Sequence, residues 1–175
     1  RSSSLKMADD SVLPIDLNKR KIRFRSATRT DSGVNRIVAP APNSAGDPRL
    51  VGGQLEVYNS AGQTLDHATA VLPAGQWTMI GTPANPRGYK FSGLTPIGKV
   101  TVKNDSIRVR GGGVLWAYTL NEASQGRVAV RLALGTSRWC ADVPPRVAGS
   151  GPLDTIDRYV GATNSPPVLI CPALP

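Results

Sequence analysis

The sequence predicts an all-β fold: one β-sandwich or jelly-roll-like domain, residues 20–175, preceded by an N-terminal extended arm, residues 1–19. Three observations favour it. Apolar and polar residues alternate with a period of two in several short segments, which is typical of strands with one buried face. Glycine and proline number 18 and 15 of the 175 residues, and many of them separate these segments, where turns are expected. Helical periodicity is almost absent.

The first alternating segment is NKRKIRFRSATRT, in which six of thirteen residues are Lys or Arg. Ile22 and Phe24 alternate there with Lys21, Arg23 and Arg25. A flexible basic arm has no physical reason to keep a period of two. We therefore interpret the segment as a strand whose outer face is charged.

The next strands are predicted in QLEVYNS, with Leu55 and Val57 on one face, and then in HATAVLP, QWTMIG and YKFSG. The clearest element follows. In KVTVKNDSIRVR, two alternating runs flank a short Asn-Asp turn, which predicts a β-hairpin. Its apolar positions are Val100, Val102, Ile107 and Val109.

A last clear strand is predicted in RVAVRLALG. Its apolar residues at every second position should face the core, and they are Val128, Val130, Leu132 and Leu134. Arg127 and Arg131 then fall at the opposite parity.

The arm contains apolar residues without regular alternation, and Pro14 interrupts it. These residues are Leu5, Met7, Val12, Leu13, Ile15 and Leu17. Two interpretations remain open. The arm either forms an edge strand on its own domain or adds a strand to a neighbouring copy of the protein.

No catalytic, metal or cofactor motif is recognisable. His67 is the only histidine, and no GxSxG motif accompanies it. Most acidic residues fall in turn-like segments, as Asp31 and Asp105 do, and the Gly111–Gly113 run is not followed by the Lys of a phosphate-binding loop. We therefore expect a non-enzymatic protein without metal or cofactor.

The two cysteines, Cys140 and Cys171, lie 31 residues apart. An even count in a β-rich chain favours one disulfide, although two unpaired core thiols remain the alternative. Closing a loop of this length would stabilise the fold by about 3–4 kcal/mol.

The chain is strongly basic, with a formal net charge of +9 and an isoelectric point near 10.2. Nine basic residues share the outward parity of their strands, and together they would form one basic surface if those strands belonged to one sheet. Three interpretations remain open: solvation and edge protection, binding of a polyanion, or a charged contact between subunits. The residues are Lys21, Arg23, Arg25, Lys99, Lys103, Arg108, Arg110, Arg127 and Arg131.

The strand parity of the aromatic residues indicates which class of polyanion to expect. The basic strands carry almost no aromatic residue at outward parity, so nucleic acid is not the expected partner. Trp116 and Tyr118 share one parity in LWAYT. They would form either a platform on which a sugar stacks or a part of the core, and the core is favoured.

The segments YKFSG, KVTVKNDSIRVRGGG and ASQGRVAVRLALGTSRWCA, with KRKIRF, LEVYNSAG, HATAVLP and the closing CP, resemble a known family. It is an uncharacterised β-rich domain near the C-termini of secreted proteins from myxobacteria-like bacteria. The resemblance implies an exported or cell-surface setting and a disulfide between Cys140 and Cys171. It implies no catalytic residues.

We therefore expect a secreted, non-enzymatic structural subunit that self-assembles into a fibre, surface layer or adhesive. Its partners would be copies of itself, joined through the arm and the charged sheet faces. A carbohydrate- or polyanion-binding module, with an acidic polysaccharide as partner, is the alternative, and a jelly-roll shell protein is the second alternative. No apolar run is long enough for a transmembrane segment.

Overall fold

The computed structural model describes residues 2–4, 21–27, 37–94, 96–112, 118, 122–147, 154–155, 158–162 and 170–175. Twelve strands, one α-helical turn, α1 (Pro48–Val51), and one 3₁₀ turn (Ala74–Gln76) lie within these ranges. The strands are β1 (Ser2–Ser4), β2 (Lys21–Ala27), β3 (Gly53–Asn59), β4 (His67–Leu72), β5 (Trp77–Thr82), β6 (Asn85–Ser92), β7 (Ile97–Lys103), β8 (Ser106–Gly112), β9 (Val128–Leu134), β10 (Ser137–Val143), β11 (Asp154–Thr155) and β12 (Arg158–Tyr159). The predicted all-β class is confirmed.

Two five-stranded sheets form the sandwich. Sheet A has the strand order β1-β10-β9-β3-β4, and sheet B has the order β2-β8-β7-β6-β5. All neighbouring strands pair antiparallel except β1, which pairs parallel with β10. Strands β5 to β8 form a meander in which each strand pairs with the next one along the chain. A separate small pair joins β11 and β12.

One hydrophobic core draws on both sheets, as the alternation predicted. Leu55 and Val57 of β3 and the alternating apolar residues of β9 are buried, and so are those of the β7–β8 hairpin. Period two therefore identified the buried face of each of these strands correctly. The residues confirmed in the core of the hairpin and of β9 are Val100, Val102, Ile107, Val109, Val128, Val130, Leu132 and Leu134.

The predicted hairpin is confirmed in register. Val100 lies opposite Val109, Val102 lies opposite Ile107, and Asn104 and Asp105 form the turn. Asp105 adopts a φ of 65°, a left-handed conformation that Asp tolerates better than most residues. The hairpin is therefore defined by both its side-chain pattern and its turn.

The α-helical turn α1 was missed by the periodicity, because four residues are too few to show a helical repeat. Asp47 caps it by accepting a hydrogen bond from the backbone nitrogen of Arg49 at 3.0 Å, and Pro48 occupies its start. The Arg49 side chain also reaches Asp47, at 2.6 Å, and this bond lowers the pKa of the Asp47 carboxyl. An Asp-Pro pair was thus a usable start signal.

The disulfide between Cys140 and Cys171 is present. It fastens the C-terminal segment, residues 170–175, to strand β10. The Tyr58 hydroxyl, on β3, donates a hydrogen bond to the carbonyl oxygen of Pro172 at 2.7 Å. Tyr58 is fully buried although its neighbour Val57 faces the core, so the C-terminal segment covers the outer face of sheet A at this point.

Most of the predicted arm lies outside the described residues. Only the three-residue strand β1 represents it, in register with Arg138–Cys140 of β10. The arm residues Leu5, Met7, Val12, Leu13, Ile15 and Leu17 are not among those described. Both interpretations of the arm, and the boundary after residue 19, stay predictions.

No helix in the described ranges has the length and apolar character needed to cross a membrane.

Candidate functional site

The outer face of sheet B carries an open groove of about 380 Å³. Its described lining comes from β7 and β8 alone, from residues that alternate with the buried Val and Ile positions. Because β7 and β8 are hydrogen-bonded neighbours, the lining forms three cross-strand positions, each with one residue from either strand. These pairs are Lys99 with Arg110, Thr101 with Arg108, and Lys103 with Ser106. We call this feature the sheet B groove.

The four cations of the sheet B groove have no acidic partner among the described residues. Lys99, Lys103, Arg108 and Arg110 are exposed, and within the described chain none of them makes a salt bridge or a side-chain hydrogen bond. The sequences of β2 and of β5 to β8 contain no Asp or Glu. The positive charge of the groove is therefore not neutralised by its own sheet.

Basic residues flank the groove on both neighbouring strands. On β2, the backbone register places Arg23 opposite Arg110 and Arg25 opposite Arg108. On β6, the exposed Lys90 lies opposite Thr101. Lys21 also belongs to β2. Sheet B thus brings together the strands of seven of the nine predicted basic residues.

The other two, Arg127 and Arg131, do not belong to this surface, and the prediction of one shared basic surface is wrong for them. Arg131 lies on β9 in sheet A, where its Nε donates to the Glu56 carboxylate. This bond raises the pKa of the Arg131 guanidinium. Arg127, just before β9, pairs with Asp142 at 3.0 Å. Alternation had placed both residues outward but could not show which sheet β9 joins.

His67 lies beside Glu56 but not in a catalytic arrangement. Its Nε2 is 3.6 Å from Glu56 Oε1, and the same Nε2 is 3.1 Å from the Thr69 hydroxyl. A nucleophile–histidine–acid relay uses the two ring nitrogens separately, one for each partner. Here both partners approach one nitrogen, so the geometry is that of a polar cluster on the outer face of sheet A.

At Tyr118 the favoured prediction, a place in the core, is confirmed, and the alternative of a sugar platform is wrong there. Tyr118 is fully buried, and its hydroxyl donates to Gln125 Oε1 at 2.8 Å. Burial raises the pKa of the Tyr118 phenol. A sugar cannot stack on a ring without an exposed face. Trp116 lies outside the described residues.

Sequence reasoning also missed a buried polar network around Gln125. Asn59 donates to the Gln125 carbonyl at 2.7 Å, and Asp154 accepts from the backbone nitrogens of Gln125 and Gly126 at 2.7 and 2.8 Å. Gln125 is fully buried, so these bonds satisfy groups that would otherwise be costly to bury. The network ties the loop before β9 to β3 and β11.

Neither a metal site nor an exposed aromatic surface accompanies the sheet B groove in the described chain. No group of three or more His, Cys, Asp or Glu residues is close enough there to hold a metal ion. The aromatic residues of β5 to β8, namely Trp77, Tyr89 and Phe91, are all buried. The groove therefore offers charge and hydroxyl groups.

The sheet B groove is thus the candidate functional site. The family resemblance of the sequence stays a prediction. Comparison of the chain with protein-family models, with curated proteins and with solved structures finds no match.

Proposed function

We propose that this protein binds an anionic polymer in the sheet B groove and that it does so outside the cell, without catalysing a reaction. One observation carries the proposal: Lys99, Lys103, Arg108 and Arg110 line one groove, and no acidic side chain of their sheet offsets them. Such a groove attracts polyanions and concentrates them at its surface.

The energetics of the sheet support a bound anion. Like charges directly opposite each other on neighbouring strands repel and destabilise the pair. Lys99 and Arg110 are such a pair, and Arg108 lies only two residues from Arg110 on the same face. This repulsion would be relieved by a ligand that supplies negative charge.

Edge protection explains these charges less well. Lysine and arginine discourage aggregation when they lie on the exposed edge strands of a sheet. In sheet B the edge strands are β2 and β5, whereas β7 and β8 are interior strands. The densest described cluster of cations therefore lies on strands whose edges are already paired.

The extracellular setting is supported by the disulfide. Disulfides form and persist mainly in oxidising compartments, such as the extracellular space and the bacterial periplasm. The bond between Cys140 and Cys171 fits such a setting. An acidic polysaccharide of a cell surface or matrix would be within reach there.

Self-assembly into a fibre, surface layer or adhesive, the first expectation from the sequence, stays a prediction. The apolar arm that would join the copies lies outside the described residues. The jelly-roll shell alternative also stays a prediction. A charged contact between subunits would use the same groove, and it would appear as self-association that weakens with salt.

The test compares two variants with the same change in charge. Arg108→Gln/Arg110→Gln removes two cations from the groove, and Arg138→Gln/Arg146→Gln removes two exposed cations elsewhere. We expect wild-type protein to bind immobilised dextran sulfate and the groove variant to bind at least tenfold more weakly, because hydrogen bonds to charged groups are the stronger ones. The control variant should lose much less.

Two results would contradict the proposal. One is equal loss of affinity in both variants, which would mean that binding follows net charge alone. The other is no salt-dependent binding of any anionic polymer by the wild-type protein.

A further inference from the structure

The sheet B groove does not contain cations alone. Hydroxyl groups of Thr101 and Ser106 complete its lining, so two of its three cross-strand positions pair a cation with a hydroxyl. Both residues are half-buried. Next to the groove, β6 adds the exposed Ser92 opposite Lys99. Charge and neutral hydrogen-bonding groups therefore alternate across this face.

From this alternation we infer, building on the proposed function, that the ligand is a linear polysaccharide carrying carboxylate or sulfate groups. Such a polymer presents anionic groups separated by neutral hydroxyls, which matches the lining. Arg108 and Arg110 would each take one anionic group, because a planar guanidinium binds a carboxylate or a sulfate through two parallel N–H bonds.

The spacing of the lining sets the length of ligand that it can contact. Residues two apart on one strand lie about 7 Å apart, and neighbouring strands lie about 5 Å apart. The groove cations therefore extend over about 13 Å, from Lys99 to Lys103 along β7. This distance suits an extended chain that lies along the strands and has anionic groups at intervals.

Single-stranded nucleic acid fits this surface less well. Proteins that bind single strands usually combine a basic groove with exposed aromatic rings on which the bases stack. On β5 to β8 the aromatic residues face the core instead. The bases would gain no stacking energy on these strands, and only the phosphates would be held.

Inorganic polyphosphate also fits less well. It carries charge on every unit and has no hydroxyl groups along its length. The hydroxyls of Thr101 and Ser106 can donate to its charged oxygens, but they find no donor on it to accept from. A polysaccharide can use both the donor and the acceptor of each hydroxyl.

The test uses the hydroxyls, because every polyanion would respond to the cations. Thr101→Val removes a hydroxyl and keeps the shape and β propensity of the side chain. Ser106→Ala removes the second hydroxyl and leaves the rest of that small side chain in place. We expect this double variant to bind polygalacturonate and dextran sulfate about fivefold more weakly than wild type, the size of one or two lost hydrogen bonds.

The wild-type protein should also prefer the two polysaccharides to polyphosphate and to a single-stranded oligonucleotide at equal salt. A preference for polyphosphate or the oligonucleotide would overturn the inference and leave the proposed function standing. Equal affinities of the double variant and the wild type for the polysaccharides would overturn it too. If none of the four polymers binds in a salt-dependent way, the proposed function itself fails.

Discussion

The two sheets both carry outward arginines, but within the described ranges only those of sheet A have an acidic partner. On sheet A, Arg131 is bonded to Glu56 across neighbouring strands, and Arg127 is paired with Asp142. On sheet B, Arg108 and Arg110 both lie on β8, and neither β8 nor its neighbours β2 and β7 contain an acidic residue. An outward arginine is therefore held by an acidic side chain of the fold in sheet A, whereas under the proposed function the arginines of sheet B bind an external anion.

The outer faces of the two sheets also differ in whether another part of the chain lies over them. The C-terminal segment lies on sheet A at Tyr58 and is fastened there by the disulfide. The outer face of sheet B carries an open groove. We therefore expect substitutions on sheet A to change stability, and substitutions on sheet B to change binding.

The largest effect on stability should come from the disulfide. Cys140→Ala/Cys171→Ala frees the C-terminal segment from sheet A and removes the constraint on a 31-residue loop. The free energy of unfolding should fall by about 3–4 kcal/mol, because the unfolded chain regains the entropy of that loop. Urea unfolding followed by tryptophan fluorescence measures it. A loss below about 1 kcal/mol would show that the segment does not need the disulfide to cover sheet A.

The pH dependence of stability tests the burial of the tyrosines, including that of Tyr58 beneath the C-terminal segment. All four tyrosines of the protein, Tyr58, Tyr89, Tyr118 and Tyr159, are fully or almost fully buried, and burial raises the pKa of each phenol above its usual value of 10.0. Because the unfolded chain loses these protons first, stability should fall as the pH rises above about 10.

Phenolate absorbance should therefore appear only as the wild-type protein unfolds at high pH. In the variant without the disulfide, Tyr58 should ionise earlier than the other three, before global unfolding. A wild-type titration near pH 10 without unfolding would contradict the burial of the four rings.

The next effect should come from the neutralising acid of sheet A. Glu56→Gln leaves Arg131 partly buried without its counter-charge, so we expect the free energy of unfolding to fall by about 2 kcal/mol. Thermal and urea unfolding measure the change. High salt should not restore the stability of this variant, because dissolved ions do not replace the lost counter-charge at this buried position. An unchanged stability would show that the Glu56–Arg131 pair does not stabilise sheet A, and would contradict the contrast with sheet B.

The smallest effect on stability should come from sheet B. Arg108→Gln should change the free energy of unfolding by less than about 0.5 kcal/mol, because its exposed side chain has no partner in the described chain. The same variant should lower the slope of log affinity against log salt by about one for an anionic polymer. A large loss of stability would mean that Arg108 has a structural partner.

The sequence predicted the buried faces of the strands because alternation is a local property. Val100 and Ile107 could be assigned to the core from their own neighbours alone. Alternation could not assign β9 to a sheet, since that depends on pairing with β3, which lies some 70 residues earlier. For this reason Arg131 was wrongly grouped with Arg108 and Arg110.

Two other features could not be predicted from the sequence, for a similar reason. Tyr58 has outward parity, yet it is buried because the C-terminal segment lies over it. The core was favoured for Tyr118, but its burial against Gln125 could not be read from the sequence. In both cases a distant part of the chain determines the environment of the residue. The α1 turn is different, because Asp47 and Pro48 carried its signal locally.

The sheet B groove, and no other surface, should receive the anionic polymer. A titration of the ¹⁵N-labelled protein with a short polygalacturonate, followed by amide chemical shifts, tests it most directly. We expect the largest shifts on residues 97–112 and smaller ones on β6. Shifts that instead fall on β3, β9 and β10 would place the ligand on sheet A and contradict it.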